Sequence, residues 1–127
     1  MFTIGDMAKK MNVAPSTLRY YDKEGLLPFV ERSQGGIRIF TEEDFEGLSI
    51  IHCLKQTGLS IKDIKRFIDM CAEGDDTIDE RLALFQKKRE DVQKQIQELQ
   101  EKLEILDFKC RSYETAKEHV TTKNLQN

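Results

Sequence analysis

The sequence predicts a mainly α fold: a winged helix-turn-helix followed by one long coiled-coil helix. Three observations carry this. Two short amphipathic stretches with helix-start signals are separated only by Asn12-Val13-Ala14. A Gly-rich turn, Ser33-Gln34-Gly35-Gly36, lies between two segments of β-favouring residues. From Ile78 onward, apolar residues recur every seven positions, with no Gly or Pro as far as Ala116.

Thr3 is placed to cap a first helix with Ile4, Met7, Ala8 and Met11 as its apolar stripe. Asp6 completes a capping box, with Asp where Glu is more usual. The stretch from Pro15 to Leu26 reads as a second short helix, with Pro in its first turn and Gly25 where a left-handed cap is expected. Ala14, Leu18 and Tyr21 are spaced to form its buried stripe. The opposite face carries Ser16, Thr17, Arg19, Tyr20 and Lys23. Hydroxyls, cations and an aromatic ring on one face suit contacts to phosphates and base edges in a major groove. An ordinary solvated face has the same composition. Two short helices joined by so tight a turn form a helix-turn-helix, whose second helix is the groove reader.

Phe29-Val30-Glu31-Arg32 and Ile37-Arg38-Ile39-Phe40 then form a hairpin, the wing. Alternation puts Ile37 and Ile39 on one face and Arg38 and Phe40 on the other. Arg32 and Arg38 would place two guanidinium groups on a projecting ribbon beside the groove; a solvated hairpin is the alternative. Thr41 caps a third helix that opens with Glu42-Glu43-Asp44, buries Leu48, Ile51 and Leu54, and ends at Gly58. Ser60 caps a fourth, containing Ile61, Ile64, Phe67 and Ile68. Its outer side carries Lys62, Lys65 and Arg66, either a second phosphate contact or a solvated face.

In the long helix, Ile78, Phe85, Val92, Leu99, Leu106, Tyr113 and Val120 occupy one heptad position, and Leu82, Ile96, Leu103 and Cys110 the other. Arg89 and Lys117 interrupt the pattern. At ~1.5 Å per residue this helix is of order 55 Å long. So narrow a seam on so long a helix needs a partner helix, most simply from a second copy. The expected organisation is a DNA-binding domain at 1–72, a linker at 73–77, a dimerisation helix at 78–120 and a flexible polar tail at 121–127.

With 127 residues and a net charge of -3, the chain as a whole does not look like a nucleic-acid binder. The distribution says more. Residues 1–40 hold six cations (Lys9, Lys10, Arg19, Lys23, Arg32, Arg38) against four anions, whereas 41–80 are strongly acidic. Phosphate contacts are local, and repulsion beyond roughly a Debye length is screened. No apolar run approaches the ~20 residues of a bilayer span, and Met1 leads straight into a capped helix rather than a signal peptide. Three widely spaced cysteines are no secreted disulfide framework, so a cytoplasmic location is expected. Two histidines, no Gly-rich phosphate loop and no convergent carboxylates leave little to catalyse with, and no enzyme, cofactor or metal is expected.

The order of parts resembles the MerR family of bacterial transcription regulators. Thr17-Leu18-Arg19-Tyr20-Tyr21-Asp22 with Gly25-Leu26 is similar to that family's recognition-helix signature. Arg38 and Phe40 resemble its wing, with Phe where Tyr is common. Gly58-Leu59-Ser60-Ile61 with Ile64 resembles its second helix pair. The resemblance covers residues 1–120. It implies a homodimer with an antiparallel seam, bound to double-stranded promoter DNA that it shares with RNA polymerase. In the family, the activated dimer bends and underwinds an over-long promoter spacer so that its elements realign.

Larger members carry a drug-binding domain beyond the long helix, and this sequence stops there. Metal-sensing members resemble one another in a Cys at the start of the long helix, where this chain has Asp76-Thr77-Ile78-Asp79, and in a close Cys pair after it. His52 and Cys53 are adjacent on a helix and point in different directions. Cys53, followed by Leu54-Lys55 and Gly58-Leu59-Ser60, resembles the short branch that responds to aldehydes and thiol stress through one Cys at this position. A small half-buried residue without a signalling role is the alternative. Cys71 is expected to pack at the end of the fourth helix and Cys110 to fill the seam. Other classes remain: an excisionase-like architectural DNA binder, a coiled-coil adaptor, or a MerR-type regulator of a small ligand or metal.

Overall fold

The computed structural model describes residues 1–126, with side chains through residue 125. In chain order these form α1 (Ile4–Met11), α2 (Pro15–Lys23), β1 (Glu31–Arg32), β2 (Arg38–Ile39), α3 (Glu42–Gln56), α4 (Ile61–Glu73), a 3-10 turn (Asp75–Thr77) and α5 (Ile78–Gln126). The chain divides into two compact units, Met1–Leu84 and the remainder from Phe85. The division therefore falls inside α5, beyond the 73–77 segment expected to be a linker.

Local chemistry sets the boundaries in the first unit. Thr3 Oγ1 accepts the Asp6 N–H at 3.1 Å, and Asp6 Oδ2 accepts the Thr3 N–H at 3.0 Å. The Thr3 backbone bond, followed by its hydroxyl, holds the Asp6 carboxyl below the usual carboxylate range. Asn12 closes α1 in the left-handed region at φ 58°, a conformation Asn tolerates well among non-Gly residues. α2 then begins at Pro15 with Ala14 as an N-cap that makes no side-chain bond. Ala14 is exposed, contrary to its place in the expected stripe, because it still belongs to the turn. Leu18 and Tyr21 alone carry the burial of α2. Gly25 has φ 76° and ends the helix as expected.

The wing is shorter than its sequence suggests. Its strands hold two residues each, in antiparallel register Glu31↔Ile39 and Arg32↔Arg38. Phe29 and Val30 lie outside the ladder. The missing pairing comes from the chain start: the Phe2 N–H donates to the Phe40 carbonyl at 2.8 Å, and the Phe40 N–H to Phe2 at 2.9 Å. Of the expected alternation, only its ends show as burial: Phe40 is fully buried and Ile37 exposed, while Arg38 and Ile39 are both half-buried. Met7, Leu18, Leu26, Leu27, Phe40, Leu48 and Ile64 are the largest fully buried side chains, drawn from α1, α2, the segment after α2, the wing, α3 and α4. At ~1.5–3 kcal/mol for each large apolar side chain removed from water, they are the main stabilising contribution to this unit.

Residues 73–77, the expected linker, are held by local hydrogen bonds. The buried Thr77 hydroxyl lies 2.7 Å from the Met70 carbonyl and 2.8 Å from that of Gly74. Arg81 donates from Nε to Thr77 Oγ1 at 3.0 Å and from Nη2 to the Gly74 carbonyl at 2.6 Å. Leu84, outside the heptad seam, is buried in the same unit.

In the second unit, seam residues Ile96, Leu99, Leu103 and Leu106 are between 48% and 63% exposed, while Phe85 and Val92 are half-buried. Helix continues through 121–126 in place of the expected flexible tail. No Gly or Pro interrupts it, and Lys123 suits the negative end of the dipole. Asn127 of that expected tail lies outside the described residues.

Candidate nucleic-acid interface

With Leu18 and Tyr21 turned into the core, α2 presents Ser16, Arg19, Tyr20 and Lys23 to solvent, with Thr17 half-buried. Tyr20 is 41% exposed and packs edge-on against Tyr21, with ring centroids 6.1 Å apart. This places hydroxyl, guanidinium, phenol and ammonium groups on one side of a nine-residue helix. Among the described residues, the only anion on α2 is Asp22, and its carboxylate is engaged elsewhere.

Asp22 Oδ1 accepts from Arg38 Nε at 3.0 Å and lies 2.8 Å from Arg38 Nη2. Arg38 Nη1 also donates to the Val30 carbonyl. The Arg38 side chain is only 18% exposed. Of the two guanidinium groups expected on a projecting ribbon, this one is turned inward, because the carboxylate and carbonyl offer it three acceptor contacts. Arg32 remains on the surface, donating to the Gly36 carbonyl at 2.8 Å, with Nη2 4.0 Å from Asp22. The wing is thereby tied to the last turn of α2.

On α4, Lys62, Lys65 and Arg66 are all exposed. Lys65 lies over the end of α2: a Cβ placed on Gly25 would sit 3.4 Å from Lys65 Cε. Its ammonium complements the negative end of that helix dipole. Lys62 stands in the first turn of α4 and faces solvent.

Cys53 is exposed on α3. Its neighbour His52 points inward instead, with Nδ1 2.7 Å from the Tyr21 hydroxyl and Nε2 3.3 Å from Gln56 Nε2. Burial, reinforced by neighbouring Tyr20, pushes the Tyr21 phenol above its ordinary value. Among the described residues, no group of three or more His, Cys, Asp or Glu side chains could hold a metal ion. Cys71, expected to pack at the end of α4, is exposed there, with Arg81 Nη1 3.9 Å from its sulfur. It borders an apolar groove of about 520 Å³ lined also by Pro28, Phe29, Ile50, Phe67 and Ile68. Cys110 is exposed on the long helix, and no described helix is long and apolar enough to cross a membrane.

Two roles carry no local sequence signal, His52 as a support for α2 and Asp22 as the anchor of the wing. Asp22 closes the Thr17–Asp22 stretch singled out in the sequence, but the partners of both residues lie 31 and 16 positions away, so helical periodicity does not give the pairings.

Residues 2–71 match the family described as MerR HTH family regulatory protein, and residues 45–107 match that described as MerR, DNA binding. The chain belongs to the MerR family. An uncharacterized HTH-type transcriptional regulator of Haemophilus influenzae is 48% identical over 91% of this chain and 86% of its own length. A crystal structure of HiNmlR, a MerR family regulator lacking the sensor domain and bound to promoter DNA, is 48% identical. It covers 91% of this chain and 92% of that one, with a TM-score of 0.69. A MerR family regulator from Listeria monocytogenes is 31% identical, with 99% and 98% coverage and a TM-score of 0.79. This chain is a MerR-type DNA-binding transcriptional regulator and not an enzyme.

Proposed function

We propose that the chain acts as a homodimer that reads a pseudo-palindromic operator with α2 and switches transcription by distorting the promoter spacer, in response to electrophile, aldehyde or thiol stress at Cys53. The observation that carries the DNA contact is the outward face of α2, where Ser16, Arg19, Tyr20 and Lys23 stand free of the core. Arg32 and Lys62 extend that face as phosphate contacts, and Arg38 sets the wing in place beside the groove. The dimer is supported by the apolar seam of Phe85, Val92, Ile96, Leu99, Leu103 and Leu106, whose later members are about half exposed or more in the single chain. A seam of this kind is buried by a second copy. RNA polymerase shares the promoter, and the protein works in the cytoplasm.

Cys53 is the thiol best placed for a signal, because it is exposed and adjoins His52, which contacts α2. A second reading, a small apolar effector, is favoured by the groove between α3 and α4. In vitro transcription from the promoter upstream of its own gene separates the two. Reduced protein, aldehyde-treated protein and Cys53→Ser treated alike are compared. Activation by the aldehyde that disappears in Cys53→Ser supports the thiol switch. Equal output from all three removes Cys53 as the sensor and leaves the groove as the place to look.

A further inference from the structure

α2 is nine residues long, and its N-cap residue makes no side-chain bond. A helix this short has little stability of its own in water, so the direction of its outer face is set by what its inner face touches. Leu18 and Tyr21 are its buried residues. The apolar contact of Leu18 is non-directional. The Tyr21 hydroxyl, in contrast, meets His52 Nδ1 at 2.7 Å, with the two rings tilted and their centroids 6.0 Å apart. His52 is held from its other nitrogen by Gln56, one turn further along α3. The hydrogen bond thus adds a directional restraint on the rotation of α2 about its own axis, beside the one that Arg38 supplies through Asp22.

We infer that His52 is a positioning residue for operator recognition, acting through Tyr21 to aim Arg19 and Tyr20 at the DNA. This rests on the reading of α2 as the recognition helix, and the experiment keeps the two apart. Fluorescence anisotropy is measured for the full chain on its footprinted operator and on a random duplex of equal length. The variants are Tyr21→Phe, His52→Leu, the two combined, His52→Asn and Arg19→Ala. Removing the bond from either side is expected to lower the operator-to-random affinity ratio about five- to tenfold. The double variant is expected to be no worse than either single one, the sign of a shared interaction. His52→Asn should restore the ratio, because its amide oxygen takes the place of Nδ1.

A merely structural role would lower the melting temperature of His52→Leu and leave the ratio unchanged, which overturns the inference. Additive losses in the double variant overturn it as well. Either result bears on His52 alone when Arg19→Ala abolishes operator binding in the same assay. Full binding by Arg19→Ala removes the recognition-helix reading and the inference with it.

Discussion

Arg38 Nη2 stands 2.8 Å from Asp22 Oδ1, so the wing is tied to α2 by a part-buried ion pair. The same guanidinium reaches the Val30 carbonyl, which links the last turn of α2, the segment after it and β2 through one side chain. Asp22→Ala leaves that cation without its anion. Hydrogen bonds to charged groups contribute ~1.5–3 kcal/mol, and a loss of that order is expected in urea unfolding. Amide exchange in β1 and β2 should quicken in parallel. An unchanged unfolding midpoint would show that the pair does not hold the wing.

The dimer seam makes a separable prediction. Leu99 and Leu103 are 63% and 48% exposed in the single chain. Leu99→Glu combined with Leu103→Glu places like charges on the face a second copy would cover. Sedimentation equilibrium should then report a monomer, with the helical circular dichroism of residues 1–84 retained. A persistent dimer would place the interface elsewhere.

Two side chains give opposite pH signatures. Folding favours the neutral phenol of Tyr21, whose value is raised by burial. That contribution is complete below the ordinary value of about 10 and is lost as pH rises through the raised one. Asp6 has the reverse sign: its folded value is lowered. Its contribution is present above the ordinary carboxylate value and lost as pH falls through the lowered one. Urea unfolding between about pH 9 and 11 should therefore decline less steeply in Tyr21→Phe than in the wild type. Parallel profiles would mean that the phenol does not sense the fold.

Features encoded locally are legible in the sequence. Thr3 with Asp6 forms the capping box its spacing signals, and Thr41 caps α3 as expected, with Asp44 completing a box there as well. Ser60 caps α4, and Gly25 adopts the positive φ its position demands. The outward set of α2 follows from helical periodicity once Leu18 is placed inside. Contacts between distant segments leave no such trace. The pairing of Phe2 with Phe40, the inward turn of Arg38 and the Tyr21–His52 bond each depend on how the elements meet in space. The extent of α5 exceeds its sequence expectation for another reason. The polar composition of 121–126 suggests fraying, yet a helix without Gly or Pro continues where its backbone bonds are already in register.

Footprinting of the region upstream of its own gene, with wild type and Arg19→Ala side by side, decides whether α2 reads the operator. Wild type is expected to protect two symmetry-related half-sites. Arg19→Ala is expected to protect neither, at concentrations where both proteins sediment as dimers. Identical footprints from the two proteins would contradict the assignment of α2 as the element that reads the operator.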